Sequence, residues 1–577
     1  MQAQRVDKAP GWGLFRYSLS WLLHAKLTVV LCCLCLLCAA ASVQAAGPGK
    51  AAIATAHPLA TEAGHQILAA GGNAFDAAVA ISAVLAVVEP YNSGLGGGGF
   101  WLLHRASDGF ETMIDGRERA PMAAFSDLYL DVTGEVMRGA SIDGPLSAGI
   151  PGEPAALVHI AKQYGQLPLE QTLAPAIRLA KEGFPVDATY QRKAQSRLNS
   201  LRYSKESTET FLNKGEVPEL ETLIRQQDLA KTLEILVKQG HDGFYRGELA
   251  NRLVKGVQAA GGIWTQQDLA SYKIVERAPI KGSYRGMQII SAAPPSSGGV
   301  VLLMMLNILE QYDLASLEPA QRIHLVIEAM RRAYRDRADY LGDPDLVEMP
   351  LERLIHPWYA AGLARDIQMD HASVSQVDEG LRPSGADTSH FSVIDRDGNR
   401  VAATLSINYP FGSGFMPEGT GVLLNDEMDD FSIKVGTPNV YGLVTGAANA
   451  IEPGKRMLSS MSPTFVETDQ GVAVLGTPGG SRIITMVLLA ILDMAQGEAP
   501  QDWVSRPRYH HQYLPDEVEF EPKALTDALQ QQLVKMGHNL KSVNQGFGNM
   551  QAVYWDRKSG EVSAVSDPRG MGQAEVR

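Results

Sequence analysis

Cysteine is scarce in this chain and confined to one place. All four cysteines lie between positions 32 and 38, inside the apolar run LTVVLCCLCLLCAAA at 27–41. If that run is removed, the remaining protein contains no cysteine. A disulfide framework, a thiol nucleophile and a cysteine-ligated zinc site are therefore excluded for the rest of the chain.

The sequence also lacks an apolar run of the length that a membrane span needs, about 20 residues. The run at 27–41 follows several basic residues and precedes SVQA, with small residues at Val43 and Ala45. This order of basic, apolar and small segments is typical of a secretory signal. We predict a signal peptide at 1–45, favoured over an uncleaved anchor, and export to the periplasm or the cell exterior.

Positive charge is in deficit, with 51 lysine and arginine residues against 64 aspartate and glutamate residues and a formal net charge of −13. Such a balance argues against nucleic acid or an anionic membrane surface as the main partner. The sequence contains no P-loop, no H-E-x-x-H and no G-x-S-x-G. The chain therefore lacks the commonest sequence signatures of nucleotide-binding proteins, zinc proteases and serine hydrolases.

Three stretches imitate cofactor or metal motifs without meeting their requirements. The glycines at 94–99 contain G-x-G-x-x-G, but a helix precedes them and a strand follows, the reverse of a dinucleotide site. We predict instead that these glycines let the backbone pass close to a ligand or to another segment of the chain. His510-His511 has no third ligand at a suitable spacing, and NDEMDDF (425–431) lacks the ligand pattern of a calcium loop. We predict neither a cofactor nor a metal.

What the sequence does contain is a hairpin with an unusual beginning. FSVID and RVAATLS alternate with period two around the turn Asp397-Gly398, and the hydroxylic residue Thr388 stands at the head. A threonine nucleophile needs a base, and His390 nearby does not by itself imply a triad. Cleavage of the Asp387–Thr388 bond would free an α-amine with a reference pKa of roughly 7.7–8.0 on the same residue. The polar, turn-rich segment 368–387 is predicted to be an exposed linker suited to that cut.

GTPGGSR (476–482) places glycines where a strand gives way to a buried helix. Free N–H groups at such a helix start can stabilise an oxyanion. An ordinary strand-to-helix turn is the competing interpretation.

Taken together, these stretches resemble the γ-glutamyltranspeptidases of the N-terminal nucleophile hydrolase superfamily. The resemblance runs from about Ala51 to Gly570 and rests on these motifs, in family order: NSGLGGGG, GRERAP, PPSSGG, DTSHFSV, NDEMDDF, PNVYGL, KRMLSSMSPT and GTPGGSR. It implies an α+β fold, a four-layer αββα sandwich. It also implies self-cleavage between Asp387 and Thr388 into a large subunit (46–387) and a small subunit (388–577) that form a heterodimer.

The resemblance further implies a γ-glutamyltransferase and glutathione hydrolase that uses no cofactor. Thr388 would form a γ-glutamyl ester from glutathione or another γ-glutamyl compound and pass the acyl group to water, an amino acid or a dipeptide. The implied catalytic residues are Thr388, Ser406, Gly479 and Gly480. The implied substrate contacts are Arg117, Ser459 and Ser460 on the α-carboxylate, Asn408, Glu427 and Asp430 on the α-ammonium, and Tyr441 in a covering loop.

Two departures and two alternatives accompany this interpretation. Ser406 and Ser389 stand where family members often or sometimes have threonine. A glutaryl-cephalosporin acylase of the same fold is one alternative, and the acidic residue Asp430 argues against it. An exported amino-acid-binding protein is the other, and it would need no cleavage at Asp387–Thr388.

Overall fold

The structure is a computed structural model that describes residues 47–375, 388–434, 436–544 and 546–577. The predicted signal peptide and Asp387 lie outside the described residues. So does most of the predicted linker, residues 376–387. The unit Pro48–Arg577 is described below.

Short alternating segments form strands throughout this unit. In chain order they are β1 (Ala52–Thr55), β2 (Gly98–Arg105), β3 (Phe110–Gly116), β4 (Phe184–Pro185), β5 (Leu223–Ile224), β6 (Val275–Arg277), β7 (Ile280–Tyr284), β8 (Met287–Ser291), β9 (Ser389–Ile394), β10 (Arg400–Ser406), β11 (Thr464–Glu467), β12 (Gly471–Gly476), β13 (Tyr509–His510), β14 (Val518–Phe520), β15 (Leu540–Ser542), β16 (Gln551–Asp556), β17 (Val562–Ser566) and β18 (Gln573–Val576).

The same unit contains the following helices. They are α1 (Pro58–Ala69), α2 (Ala74–Val88), α3 (Glu153–Gln163), α4 (Leu169–Glu182), α5 (Ala188–Ser196), α6 (Leu198–Leu201), α7 (Lys205–Phe211), α8 (Gln227–Gln239), α9 (His241–Tyr245), α10 (Gly247–Ala259), α11 (Gln266–Ala270), α12 (Gly298–Leu309), α13 (Pro319–Tyr340), α14 (Leu351–Leu354), α15 (Pro357–Arg365), α16 (Ile483–Ala495), α17 (Pro500–Ser505) and α18 (Asp527–Lys535). None of the described helices is long and apolar enough to cross a membrane.

Two large sheets lie face to face. The described strands give a seven-stranded sheet in the order β18-β1-β9-β10-β2-β3-β6 and a six-stranded sheet in the order β17-β16-β12-β11-β8-β7. A core that includes Phe100 and Ala402 from the first sheet and Phe465 and Val474 from the second fills the space between them. Burial of apolar side chains on both facing surfaces is what holds two such sheets together.

Helices cover the outer face of each sheet. Every residue of α2 is buried, because the helix packs on β9 and β10 with other helices around it. On the opposite side the apolar helices α12 and α16 cover the second sheet, with α13 packed on α12. The predicted four-layer αββα sandwich is thus confirmed, and helices as uniformly apolar as α2 and α16 are explained by burial on all sides.

The predicted hairpin is formed by β9 and β10. They pair antiparallel, with Leu405 opposite Ser389, and the turn uses Gly398 at φ 92°, a left-handed conformation that favours glycine. Because side chains alternate along a strand, Thr388 and Ser406 share the face that points into the space between the sheets. Ser389 points the other way and donates a 2.5 Å hydrogen bond to Glu89.

The glycine loop at 94–99 is shaped by backbone packing. A Cβ on Gly96 would lie 1.9 Å from the carbonyl oxygen of Leu423, and one on Gly97 would lie 2.1 Å from that of Ser406. Both approaches are far inside van der Waals contact, so only glycine fits. This is the close backbone approach predicted for the loop.

The predicted exposed linker is described only up to Ser375. Of residues 368–374, four are exposed and three are partly exposed, as predicted. Ser375 is buried: its hydroxyl accepts a 2.6 Å hydrogen bond from Arg331, and its N–H donates at 2.8 Å to Asp516. The prediction is therefore wrong at this last described residue.

Candidate active site

A single cavity at the open end of the hairpin collects most of the predicted site residues. Its walls include Thr388, Ser406, Asn408, Arg117, Glu427, Asp430, Tyr441, Ser459, Ser460 and Gly480. Residues from both predicted subunits thus meet in one place. Gly479 adjoins this wall without lining it, and Asp387 lies outside the described residues.

The strand end sets the position of the hydroxyl groups. Thr388 is buried immediately before β9, and Ser406 is the last residue of β10. The chain then turns sharply: Asn408 has φ 73°, its N–H donates to Ser406 Oγ at 2.8 Å, and its side-chain amide donates to the Asp426 carbonyl at 3.0 Å. Two hydroxyls and one amide are therefore held on rigid backbone around the same space.

Arg117 lies at the centre of an acidic cluster. Its Nη1 donates to Glu427 Oε2 at 2.5 Å, its Nη2 to Asp430 Oδ2 at 2.6 Å, and Glu118 Oε2 lies 3.3 Å from Nη1. All but Asp430 are nearly inaccessible to solvent. In this structure the guanidinium thus pairs with Glu427 and Asp430, the two carboxylates that were predicted to hold an α-ammonium.

The acidic cluster has perturbed ionisation. Burial raises the pKa of Glu427 to about 7, while the charge of Arg117 opposes the rise. Burial also raises the pKa of Glu118 well above its usual range. Burial disfavours the cation of Arg117, yet its neighbouring carboxylates keep its pKa above the ordinary value. A cationic ligand that reached this cluster would favour the ionised form of the carboxyl groups whose pKa is raised, and those carboxylates would then bind it.

The two serines also line the cavity. The Ser459 carbonyl accepts two hydrogen bonds from Ser297, from the N–H at 2.8 Å and the hydroxyl at 2.7 Å. Ser459 Oγ accepts the Met461 N–H at 3.1 Å, and Ser460 Oγ accepts from Arg337 at 3.2 Å. Arg337 was not predicted from the sequence. It stands in none of the motifs named above, and it reaches the cavity wall because of the way α13 packs.

The glycine pair at the end of β12 is conformationally constrained. Gly479 has φ 147° and Gly480 has φ 55°. A Cβ on Gly479 would lie 2.5 Å from Met486 Cε, and one on Gly480 would lie 2.6 Å from the Tyr441 ring. The glycines lead into a 3₁₀ turn, Gly480–Arg482, before α16 begins at Ile483. Backbone N–H groups at this start of a helix can face a developing oxyanion.

The loop that carries Tyr441 is tethered to the acidic cluster, and Tyr441 lines the cavity. Tyr441 donates a 2.7 Å hydrogen bond to the Asn408 carbonyl. The side-chain amide of Asn439 donates to Asp430 at 3.1 Å, and the Val440 N–H donates to Asp429 at 2.8 Å. The cavity is partly open to solvent, and its free volume of about 20 Å³ has room for roughly one water molecule. A larger ligand therefore requires parts of the cavity wall to move.

The histidines have structural partners. His390 contacts Thr404 Oγ1 at 2.8 Å and Ser392 Oγ at 3.2 Å, and burial lowers its pKa to about 3. His510 contacts Thr485 and Gln512, and His511 contacts Asp516. These contacts agree with the structural use favoured for His510-His511.

Two other groups of described side chains have the proximity of metal ligands: His324, Glu328 and His538, and His104, Glu111 and Glu467. In the first, Glu328 already pairs with Arg331 and Arg332. In the second, Glu467 pairs with Arg400. Arginine supplies the counter-charge in both groups.

Comparison with known proteins identifies the family. A family model described as gamma-glutamyltranspeptidase matches residues 60–576. The chain belongs to the gamma-glutamyltranspeptidase family. A glutathione hydrolase proenzyme of Pseudomonas sp. (strain A14) is 45% identical over 520 residues, covering 89% of this chain and 90% of that protein. The glutathione hydrolase proenzyme of Escherichia coli (strain K12) is 40% identical over 530 residues, covering 90% of each.

Solved structures agree with the fold. A cephalosporin acylase from Bacillus halodurans superposes with a TM-score of 0.80 at 30% identity, covering 91% of this chain and 96% of that one. The gamma-glutamyltranspeptidase of Helicobacter pylori gives a TM-score of 0.54 at 41% identity, covering 55% of this chain and 91% of that one. The sandwich is that of the N-terminal nucleophile hydrolases, and this gamma-glutamyltranspeptidase family member is an enzyme.

Proposed function

We propose that this family member is made as a precursor, cuts itself between Asp387 and Thr388, and then transfers γ-glutamyl groups from glutathione or similar amides. The observation that carries the proposal is the cavity itself. Thr388 heads a buried strand and lines one cavity together with acidic groups and with hydroxyl and guanidinium groups. A γ-glutamyl donor presents an α-ammonium and an α-carboxylate at one end, which requires both kinds of group.

Maturation and turnover use the same hydroxyl. In the precursor, Thr388 Oγ attacks the Asp387 carbonyl, the acyl group moves from nitrogen to oxygen, and water hydrolyses the resulting ester. The products are a new carboxylate on Asp387 and a free α-amine on Thr388. That amine is the general base for catalysis, since its reference pKa of roughly 7.7–8.0 lies near neutrality.

In catalysis the α-amine of Thr388 accepts the hydroxyl proton while Oγ attacks the γ-carbonyl of the donor. The N–H groups of Gly479 and Gly480 stabilise the oxyanion, and Ser406 assists the nucleophile. The C–N bond then breaks and the leaving amine takes the proton back from the ammonium. Water or the amine of an amino acid or dipeptide attacks the γ-glutamyl ester in the same manner, so ping-pong kinetics are expected.

The other residues of the cavity would hold the two charged groups of the donor. Asn408, Glu427 and Asp430 hold the α-ammonium, Arg117, Ser459 and Ser460 hold the α-carboxylate, and Tyr441 closes over the donor. Residues 1–45 are a signal peptide, and the exported product is a heterodimer of 46–387 and 388–577. The proenzyme names of the relatives support processing.

The deciding experiment is intact mass and N-terminal analysis of purified wild type, T388A and T388S. We expect two chains with a new N-terminal threonine in the wild type and a single uncut chain in T388A. T388S retains a hydroxyl, and it should cleave more slowly. A wild type that stays uncut, or a T388A variant that still cleaves at this bond, contradicts the proposal.

Donor choice is tested by comparing glutathione with a glutaryl-cephalosporin on the matured protein. A glutaryl group has no α-ammonium, so it would bring no positive charge to Glu427 and Asp430. Faster turnover of glutathione is the expected result. Faster turnover of the glutaryl substrate would favour the acylase alternative.

A further inference from the structure

Arg337 is a buried cation that the family motifs leave without a role. It lies in the last turn of α13, is 2% exposed, and forms part of the cavity wall. Its Nε donates to Ser297 Oγ at 2.9 Å and its Nη2 to Ser460 Oγ at 3.2 Å. Both partners are neutral hydroxyl groups.

The charge of Arg337 has no direct counter-ion in the part of the chain that the structure describes. Its Nη1 is buried there without a hydrogen-bond partner. Burial lowers its pKa, but a guanidinium remains protonated at neutral pH. Because an unpaired buried charge is costly, a cation that faces a cavity in this way is suited to an anionic ligand.

Arg117 differs in this respect. Two carboxylate oxygens, from Glu427 and Asp430, already lie 2.5 and 2.6 Å from its guanidinium, and Glu118 is 3.3 Å away. Arg117 thus already has carboxylate partners, whereas the partners of Arg337 are hydroxyl groups.

We propose that Arg337 is a donor-specificity residue, which adds a second positive charge, besides that of Arg117, to the binding of the α-carboxylate of the γ-glutamyl group at Ser459 and Ser460. The inference rests on the proposed function. Ser460 Oγ accepts its hydrogen bond from Arg337, so its own hydroxyl hydrogen is left to donate to the carboxylate. Arg337 Nη1 is the second donor, and together they discriminate against compounds that lack an α-carboxylate.

The test compares R337Q and R337K with wild type after maturation. The probes are γ-glutamyl-p-nitroanilide as donor and L-glutamate and 4-aminobutyrate as competing ligands, the last lacking the α-carboxylate. R335Q is the matched control, since Arg335 is on the same helix, is 42% exposed and pairs with Asp336.

For R337Q we expect the KM of the donor and the inhibition constant of L-glutamate to rise about 10- to 100-fold, as for loss of a charge-assisted hydrogen bond. The kcat and the inhibition constant of 4-aminobutyrate should change less than about threefold. R337K keeps the charge with a shorter reach, so a smaller loss with the same selectivity is expected. R335Q should match the wild type.

Equal weakening of L-glutamate and 4-aminobutyrate in the Arg337 variants would mean a merely structural role and would overturn the inference. If R337Q does not mature, the ratio measured on R337K decides in the same way. A wild type that matures but does not turn over γ-glutamyl-p-nitroanilide refutes the proposed function itself. That result is distinguishable from loss of selectivity in the variants alone.

Discussion

Glu427 is a buried carboxyl group whose ionisation we expect to be coupled to donor binding. Burial raises its pKa to about 7, against the opposing charge of Arg117. An α-ammonium group binds the ionised form, so binding should tighten as pH rises through this value. The donor KM is expected to fall about tenfold between pH 6 and pH 8, following the ionised fraction of a group with that pKa.

The check is donor KM against pH for wild type, E427Q and E452Q. E427Q cannot ionise, so its KM should be higher at pH 8 and nearly flat with pH. Glu452 is about half exposed and pairs with Lys455, so E452Q serves as the control. A pH dependence of KM in E427Q that parallels the wild type would assign the titration to another group.

Single residues were predictable from sequence to the extent that they belong to local motifs. Thr388, Glu427 and Ser460 stand in short stretches of distinctive composition, and the structure places all three in one cavity. Arg337 stands in RRAYRDRADY, among arginines of identical chemistry. Which of them faces the cavity depends on the rotation of α13 against α12, and local sequence does not encode that rotation.

Among the elements, the junction between the glycine loop and β10 is expected to set the geometry of the proposed nucleophile. Gly97 lies so near the end of β10 that a Cβ would approach the Ser406 carbonyl oxygen to 2.1 Å. In G97A the strand end must therefore shift, which moves Ser406 relative to Thr388. We expect maturation to slow markedly and stability to fall by about 1–3 kcal/mol, as for overpacking of a core.

Time-resolved denaturing gels and thermal melts of G97A check this expectation. The control is G109A, in the turn between β2 and β3, where φ is +69° and a Cβ would meet nothing within 4 Å. That change should cost about 1 kcal/mol through backbone strain and leave maturation unaltered. If G97A matures at the wild-type rate, the glycine loop does not position the nucleophile.

Helices and strands with a clear sequence pattern were predictable. The pairing of strands was predictable only where the two strands are neighbours in the sequence. The β9–β10 hairpin follows from alternation and the Asp397-Gly398 turn, and α16 from its apolar composition. The pairing of β1 with β18 joins Ala52 to Val576 across nearly the whole chain. The QAEV sequence of β18 carries no strand signal, so that pairing is dictated by the sandwich as a whole.

At the scale of the whole molecule, the stability of the sandwich should depend on a buried carboxyl group that plays no part in the proposed chemistry. Glu153 is the first residue of α3, is fully buried, and its N–H donates to the Gly97 carbonyl at 3.0 Å. Burial raises its pKa from 4.5 to about 8, with the Gly94 backbone opposing the rise. The folded protein therefore retains a proton that the unfolded chain releases above pH 4.5.

The sign of the effect follows from proton linkage. Between pH 4.5 and pH 8 the folded state binds more protons at Glu153 than the unfolded state, so this group lowers stability as pH rises across that window. E153Q keeps the shape and removes the titration. We expect the free energy of unfolding of E153Q, relative to that of the wild type, to rise progressively from pH 5 to pH 8 by on the order of a few kcal/mol. Above that range the difference should not grow further. Thermal or denaturant unfolding of both proteins at several pH values measures the difference, and curves that run parallel through the window would show that Glu153 is already ionised in the folded enzyme.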